Sequence, residues 1–185
     1  MKFPYQLNKF LNLFLSFFLF SLLGWIYETL LFYVLYGNYY DRGYLNLPIC
    51  PIYGTTITIM FIILGTIKEP SVFTKFITNI KVRKAVYLSV AFILPTLVEY
   101  IVGYYFDHYK NIRLWDYSYM PFNINGYVCL YYSLFWAVGI YLITNKIFPR
   151  VIIFIDKYPI LFKLFLFLFL SSFIVVDLLK KSAIL

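Results

Sequence analysis

Charge is scarce in this sequence, and acidic charge scarcest. Of 185 residues, 16 are Lys or Arg and 8 are Asp or Glu, 13% together, while 63% are hydrophobic. A soluble domain carries about 25% charged and about 45–50% apolar residues. So little polar surface cannot cover this much apolar side chain, which excludes a water-soluble fold. Histidine occurs once, at His108, and cysteine twice, at Cys50 and Cys129. Without a Cys/His cluster no metal site and no cofactor are expected, and His108 reads as a surface loop residue. No Gly-rich phosphate loop, nucleophile elbow or zinc motif occurs, so this chain cannot itself hydrolyse ATP. The net charge of +8 comes without a reader motif or basic-aromatic platform. Nucleic acid is therefore not an expected partner, and topology with anionic headgroups accounts for the charge.

What is abundant is long apolar runs. Five qualify as spans of about twenty residues: about Leu11–Tyr36, Pro51–Ile67, Ala85–Phe106, Gly126–Thr144 and Ile160–Leu179, the second being shortest. The runs are continuous rather than alternating, which favours helices over a barrel. The expected fold is an all-α polytopic helical bundle of about five transmembrane helices, one integral membrane domain over residues 1–185. The run after Lys2 and Lys9 is too long for a signal peptide and lacks a small-residue cleavage site, so it reads as a retained first span. Many of the 20 Tyr fall near span ends, where an amphipathic ring suits the interface.

The positive-inside rule orients the chain. One face carries Lys2, Lys9, Lys68, Lys75, Lys81, Arg83, Lys84, Lys146, Arg150 and Lys157. The other carries Arg42, Lys110, Arg113, Lys180 and Lys181. The N-terminus is expected inside and the C-terminus outside, with Lys163 snorkelling to the inner headgroups. In the inner loop Ser71–Lys84, residues Val72, Phe73, Phe76, Ile77 and Ile80 share a helical face that Lys75, Asn79 and Lys81 avoid. This predicts an amphipathic helix on the cytoplasmic surface, either a lipid anchor or a dock for a cytoplasmic partner. The short apolar stretch between Pro149 and Pro159 is also expected at the interface.

Three carboxylates interrupt the spans: Glu28, Glu99 and Asp177. Ionisable groups in hydrocarbon cost a few kcal/mol or more and usually mark a site or pathway. With this orientation Glu28 and Glu99 each lie roughly 5–8 Å outward of the midplane. Asp177 lies nearer the outer end of its span. Ser21, Gly24 and Glu28 recur at helical spacing, and small residues let helices approach closely in lipid. Pro95, Glu99 and Gly103 also share a face, and Pro95 frees a backbone carbonyl near Glu99. The plainer reading of each carboxylate is a satisfied interhelical hydrogen-bonding group. Matching depth favours a shared outward pocket for Glu28 and Glu99, whereas Asp177 fits the plainer reading. Two loops complete the candidate pocket: 41–54, which supplies Arg42, and 114–126, which supplies Trp115, Asp116 and Asn123. Arg42 suits Glu28, Asp116 or an anionic headgroup, because its fork binds carboxylate or phosphate at two points. The plainer readings are a rim salt bridge for Arg42 and an interface anchor for Trp115. Cys50 and Cys129 fall at outer span ends, which admits a disulfide, with two buried thiols as the favoured alternative.

The motifs Ser21-x-x-Gly24-Trp25-x-x-Glu28, Arg42-Gly43-Tyr44-Leu45, Cys50-Pro51-Ile52-Tyr53-Gly54, Glu99-Tyr100-x-x-Gly103, Trp115-Asp116-Tyr117-Ser118, Pro121-Phe122-Asn123-x-x-Gly126 and Cys129-Leu130 occur in this order. The set resembles a bacterial membrane family called putative ABC-transporter permease, CmpB-like or type IV, over about Ser16 to Trp136. The chain departs from that pattern at Asp41, Leu47 and Asp107, where the family has Asn, Gly and Glu. The resemblance implies a multi-pass protein of the bacterial cytoplasmic membrane with a transport role, partnered by the bilayer and by a separate cytoplasmic ATPase or another membrane subunit.

Three functions stand at this point. In the first, a transport component binds a small cationic or polar solute at Glu28, Glu99 and Arg42. In the second, an outward-facing enzyme acts on a lipid or lipid-linked substrate, with Glu99 as base, Glu28 as its partner and Arg42 holding a phosphate. The third is a structural or assembly subunit, whose motifs are packing elements.

Overall fold

The computed structural model describes residues 2–71 and 73–184. In chain order it contains α1 (Lys2–Tyr36), α2 (Pro51–Leu64), α3 (Ile80–Lys110), a two-stranded antiparallel hairpin of β1 (Asn123–Ile124) and β2 (Val128–Cys129), α4 (Leu130–Leu142), a π-helical turn (Ile143–Ile147), α5 (Phe148–Asp156) and α6 (Ile160–Ile184). Among the described residues four stretches are long and apolar enough to cross a membrane: Pro4–Tyr36, Ile80–Lys110, Leu130–Asp156 and Ile160–Lys181. The expected all-α membrane architecture is thus the one observed. The remaining apolar helix, α2, has 14 residues. At 1.5 Å per residue it covers about 21 Å, against roughly 30 Å of hydrocarbon.

The chain forms two compact units, Met1–Thr58 with Phe148–Leu185, and Ile59–Ile147. In the first, α1 packs against α5 and α6. Phe14 meets Phe167 edge-on with centroids 4.7 Å apart, and Phe20 stacks on Phe148 at 5.4 Å. Ser16 and Ser21 are fully buried on α1, each hydroxyl donating to the carbonyl four residues back, Asn12 and Phe17, at 2.8 Å. Their burial therefore leaves no polar group unpaired. The small residues of α1 receive the start of α2. A Cβ at Gly24 would come within 2.5 Å of the Tyr53 ring, and one at Gly54 would overlap Ser21 Oγ and the Phe17 carbonyl. In lipid, such close packing rather than water expulsion holds helices together.

Lys163 departs from the snorkelling expected of it. It is 1% exposed. Its ammonium donates to Asn12 Oδ1 at 2.9 Å and lies 3.5 Å from Asp156 Oδ1, which also accepts from the Asn8 and Asn12 amides at 2.8 Å. The turn between α5 and α6 brings Asp156 beside Lys163, so the ammonium finds its counter-charge within the protein.

In the second unit α3 packs along α4. Its core contains Met60, Leu64, Ile67, Tyr87, Ala91, Ala137 and Ile140. The Tyr87 hydroxyl hydrogen-bonds to that of Thr144, and Asn145 Oδ1 accepts from the Ile67 N–H at 2.7 Å. The expected amphipathic helix over Ser71–Lys84 does not form. Phe73–Phe76 make a turn, residues 77–79 are non-helical, and α3 starts at Ile80; Val72 lies outside the described residues. The reason is competition for hydrogen bonds. Ser71 N and Thr74 Oγ1 donate to Leu64 O at 3.1 and 2.8 Å, capping α2 instead of building a helix. Asn79 then opens α3 by accepting from Lys81 N and Val82 N, an N-cap geometry. The markedly one-sided helix is α5, which buries Phe148 and Ile155 and puts Arg150 on the opposite side. This is the stretch read as an apolar interfacial segment.

Candidate functional site

The Glu28 site is made by a loop that folds back along α1. Gly37, at φ 70°, ends the helix and donates to Tyr33 O at 2.9 Å. The chain then returns beside the helix it has just left. Trp25 Nε1 donates to Asp41 Oδ1 at 2.7 Å, and Cys50 N donates to Ser21 O at 2.9 Å. α2 therefore begins at the level of Ser21, partway along α1. The returning loop carries Arg42 to Glu28, with Nε 3.4 Å from Oε2 and both side chains about one-fifth exposed, at 22% and 20%. The other carboxylate oxygen of Glu28 accepts from the Tyr53 hydroxyl. The Arg42 guanidinium also lies 3.8 Å over the Phe32 ring, an attraction that partial desolvation strengthens. Gly43 N donates to Asp41 Oδ1 at 3.0 Å. Asp177, 4% exposed, clasps the loop's far end by accepting from Asn46 Nδ2 at 2.5 Å and Leu47 N at 3.1 Å. Beside these groups an open groove of about 250 Å³ is lined by Trp25, Ile26, Thr29, Leu30, Tyr33 and Tyr39. The buried Thr29 hydroxyl there has no hydrogen-bond partner among the described residues.

Glu99 belongs to the second unit, where it accepts from the Tyr117 hydroxyl at 3.1 Å. Tyr117 stacks on Tyr132 with centroids 4.8 Å apart. The 111–129 loop that delivers Tyr117 is organised by Arg113. Its guanidinium reaches Asp116 Oδ1 at 2.9 Å, Asp107 Oδ2 at 3.3 Å, Ser118 Oγ at 3.3 Å and Asn125 O at 3.2 Å. Ser118 also donates to Asp116 through its hydroxyl and its N–H. These bonds, with Arg113 beside them, hold the Asp116 carboxyl below its usual range. A depressed carboxyl pKa stabilises above the unfolded value and is lost as pH falls through the folded one, so this anchorage weakens only in acid. Asn125 and Gly126, at φ 54° and 72°, make the hairpin turn, closed by Tyr127 N donating to Ile124 O at 3.0 Å; an Asn-Gly pair suits two successive positive φ values.

Gly126 leaves the space that Arg113 fills. A Cβ there would sit 2.7 Å from Asp116 Oδ1 and overlap the guanidinium. Gly126→Ala is expected to expel Arg113 and cost about 1–3 kcal/mol, the usual range for overpacking. Faster tryptic cleavage after Arg113 in detergent is the readout, and wild-type cleavage kinetics would show that the loop does not depend on this packing.

Of the residues expected in the pocket, Glu28 and Arg42 meet in the first unit. Glu99, Trp115, Asp116 and Asn123 all lie in the second. Trp115 Nε1 donates to Tyr127 O at 2.7 Å, and Asn123 links Met120 O to Gly126 N. Both shape the loop. Asp116 pairs with Arg113. Cys50 in the first unit and Cys129 in the second are both free and buried. Burial, then the negative charge of Glu28, pushes the Cys50 thiol up to about 12. No motif in the sequence marks Tyr53, Tyr117, Arg113 or the Lys163 cluster as site residues. Tyr53 and Tyr117 stand inside motifs noted for their order alone. Their hydroxyls looked like interface tyrosines in a chain with 20 of them.

The profile of one protein family, described as "Putative ABC-transporter type IV", matches residues 15–181. No curated protein matches the chain, and no solved structure does.

Proposed function

Because the chain belongs to the family described as "Putative ABC-transporter type IV", we propose that it is the membrane-embedded component of a transporter, binding a small cationic or polar solute at the Glu28–Arg42 cluster of the first unit, with the Glu99 cluster of the second unit as a separate candidate site. One observation carries this reading. In the first unit a non-helical loop returns alongside an apolar helix and brings Arg42 and Asp41 to Glu28 and Trp25. Irregular backbone within a membrane protein is tolerated where it is buried in protein or lines a cavity. A carboxylate held by one Arg and one Tyr can exchange these partners for a cationic or hydroxyl-bearing solute. The charge count orients the two polar loops outward, in a bacterial cytoplasmic membrane with the N-terminus inside. The chain has no phosphate loop, so a separate ATPase supplies the energy. Its docking surface is the inner turn that leaves Phe73 and Phe76 68% and 77% exposed.

The test is co-purification of the tagged protein from its native membrane in mild detergent, with mass spectrometry of proteins and small molecules. A stoichiometric ATPase and a retained polar solute are expected. Neither being present would defeat the reading. Glu28→Gln refines it. The amide removes the charge and keeps one oxygen acceptor, while its NH2 faces whichever donor, Tyr53 or Arg42, used the other oxygen. A charge-assisted hydrogen bond is worth about 1.5–3 kcal/mol, so solute affinity should fall roughly tenfold to a hundredfold while the protein still purifies as a single species. Unchanged affinity would make Glu28 a packing element.

A further inference from the structure

The tip of the 111–129 loop presents large apolar side chains that nothing above uses. Phe122 is 71% exposed and Ile124 57%. Phe122 has φ 56°, a left-handed backbone that is an outlier for a bulky residue. The surrounding structure imposes it. Phe122 O accepts from Leu130 N at 3.2 Å, and the next residue, Asn123, donates its amide to Met120 O at 2.8 Å. Strain kept at an exposed aromatic points to a use for that side chain.

The tip continues an apolar surface of the second unit. On α4, Tyr131, Leu134, Phe135 and Val138 are each more than half exposed, and at spacings of three and four they form one stripe. The Phe122 ring lies 6.5 Å from that of Tyr131 at the head of the stripe. Because α4 opens one of the stretches long enough to cross a membrane, its exposed apolar stripe is a face for acyl chains.

We propose that Phe122 and Ile124 form an interfacial anchor, entering the acyl–headgroup boundary of the bilayer at the end of the lipid-facing stripe of α4. Lipid fits better than protein as the occupant. Tyr119 and Tyr131 flank the tip with amphipathic rings suited to the interface. A few side chains at a loop tip also fall well short of the roughly 1,000 Å² that a stable protein interface buries. Insertion would fix the depth of the hairpin, and with it Tyr117 and Glu99. The proposal rests only on the chain being a membrane protein, so it stands or falls separately from the transport reading.

The test is a Phe122→Cys variant labelled with the fluorophore NBD and reconstituted in phosphatidylcholine–phosphatidylglycerol vesicles. The vesicles contain lipids brominated either near the glycerol end or near the methyl end of the chain. Both native thiols are buried, and labelled wild-type protein supplies the background. The expected result is blue-shifted emission with greater loss of intensity from the shallow bromines than from the deep ones. Emission matching an NBD–cysteine adduct in water would overturn the proposal. So would blue-shifted emission that neither bromine position quenches, since that would put a second copy or another protein on the tip. If Phe122→Cys does not purify as a folded species, Ile124→Cys is judged by the same outcomes.

Discussion

Gly54→Val should abolish recovery of folded protein. The close approach of α1 and α2 leaves no room at this position. A Cβ would overlap Ser21 Oγ and the carbonyl oxygen of Phe17, and would stand 2.9 Å from Phe17 Cδ2. A serine hydroxyl can rotate away, but a helix carbonyl cannot. Typical overpacking costs about 1–3 kcal/mol, and here the obstacle is backbone, so the cost should reach or exceed the top of that range. Native proteins are stable by only about 5–15 kcal/mol. The loss is compounded because Tyr53, the residue before Gly54, donates to Glu28 and packs on Gly24. Displacing α2 dismantles the Glu28 site with the helix contact. Size-exclusion profiles in detergent should show aggregate for Gly54→Val, and a broadened or early-melting species for Gly54→Ala. A wild-type profile and melting temperature for Gly54→Ala would refute the close approach.

Asp156→Ala should be the second most damaging change, although Asp156 lies at the surface. Its carboxylate is the counter-charge for Lys163, whose side chain is 2% exposed against 54% for Asp156. Removing one partner of a buried pair costs about 3–5 kcal/mol, because an uncompensated charge is left behind. Water can reach the exposed side of this pair, which argues for the lower end, about 3 kcal/mol. Lys163→Met alone should cost less, since Asp156 can turn to solvent and keep its bonds from Asn8 and Asn12. The double variant Asp156→Ala with Lys163→Met should recover much of the loss, because replacing a buried pair with apolar groups is often neutral. Thermal unfolding of the four proteins in one detergent gives the cycle. Single and double variants that unfold together would show that the charge of Lys163 is not what Asp156 supports.

Much of the fold could be read before any coordinates. Apolar runs with few charges dictate helices, because a membrane leaves no other partner for backbone N–H and C=O groups. The small-residue stripe Ser21, Gly24, Glu28 was visible as spacing, and the structure shows α2 using it. The inner loop departs from its side-chain pattern for an identifiable reason. Side-chain periodicity over Ser71–Lys84 is helical, yet Leu64 O takes hydrogen bonds from Ser71 and Thr74. The end of a preceding helix can capture donors that a local pattern assigns to a new one. Gly126–Cys129 likewise sat in an apolar run, but the Asn125-Gly126 turn makes them hairpin.

Composition and run length by themselves determined that this is a helical membrane protein and that its charged groups inside apolar segments are few enough to name. Motif order placed it in its family. Only the tertiary structure decided which partner each of those charged groups has. Arg42 met Glu28 as its chemistry suggested. Asp116 went to Arg113, Asp177 to the loop at Asn46 and Leu47, and Lys163 to Asp156 and Asn12. Sequence shows the cost of burying a charge, since that depends on residue type and on the hydrophobicity around it. It does not show which group offsets the cost where, as for Asn46 with Asp177 and Asn12 with Lys163, the partners lie 131 and 151 residues apart and are brought together by helix packing rather than by any local pattern.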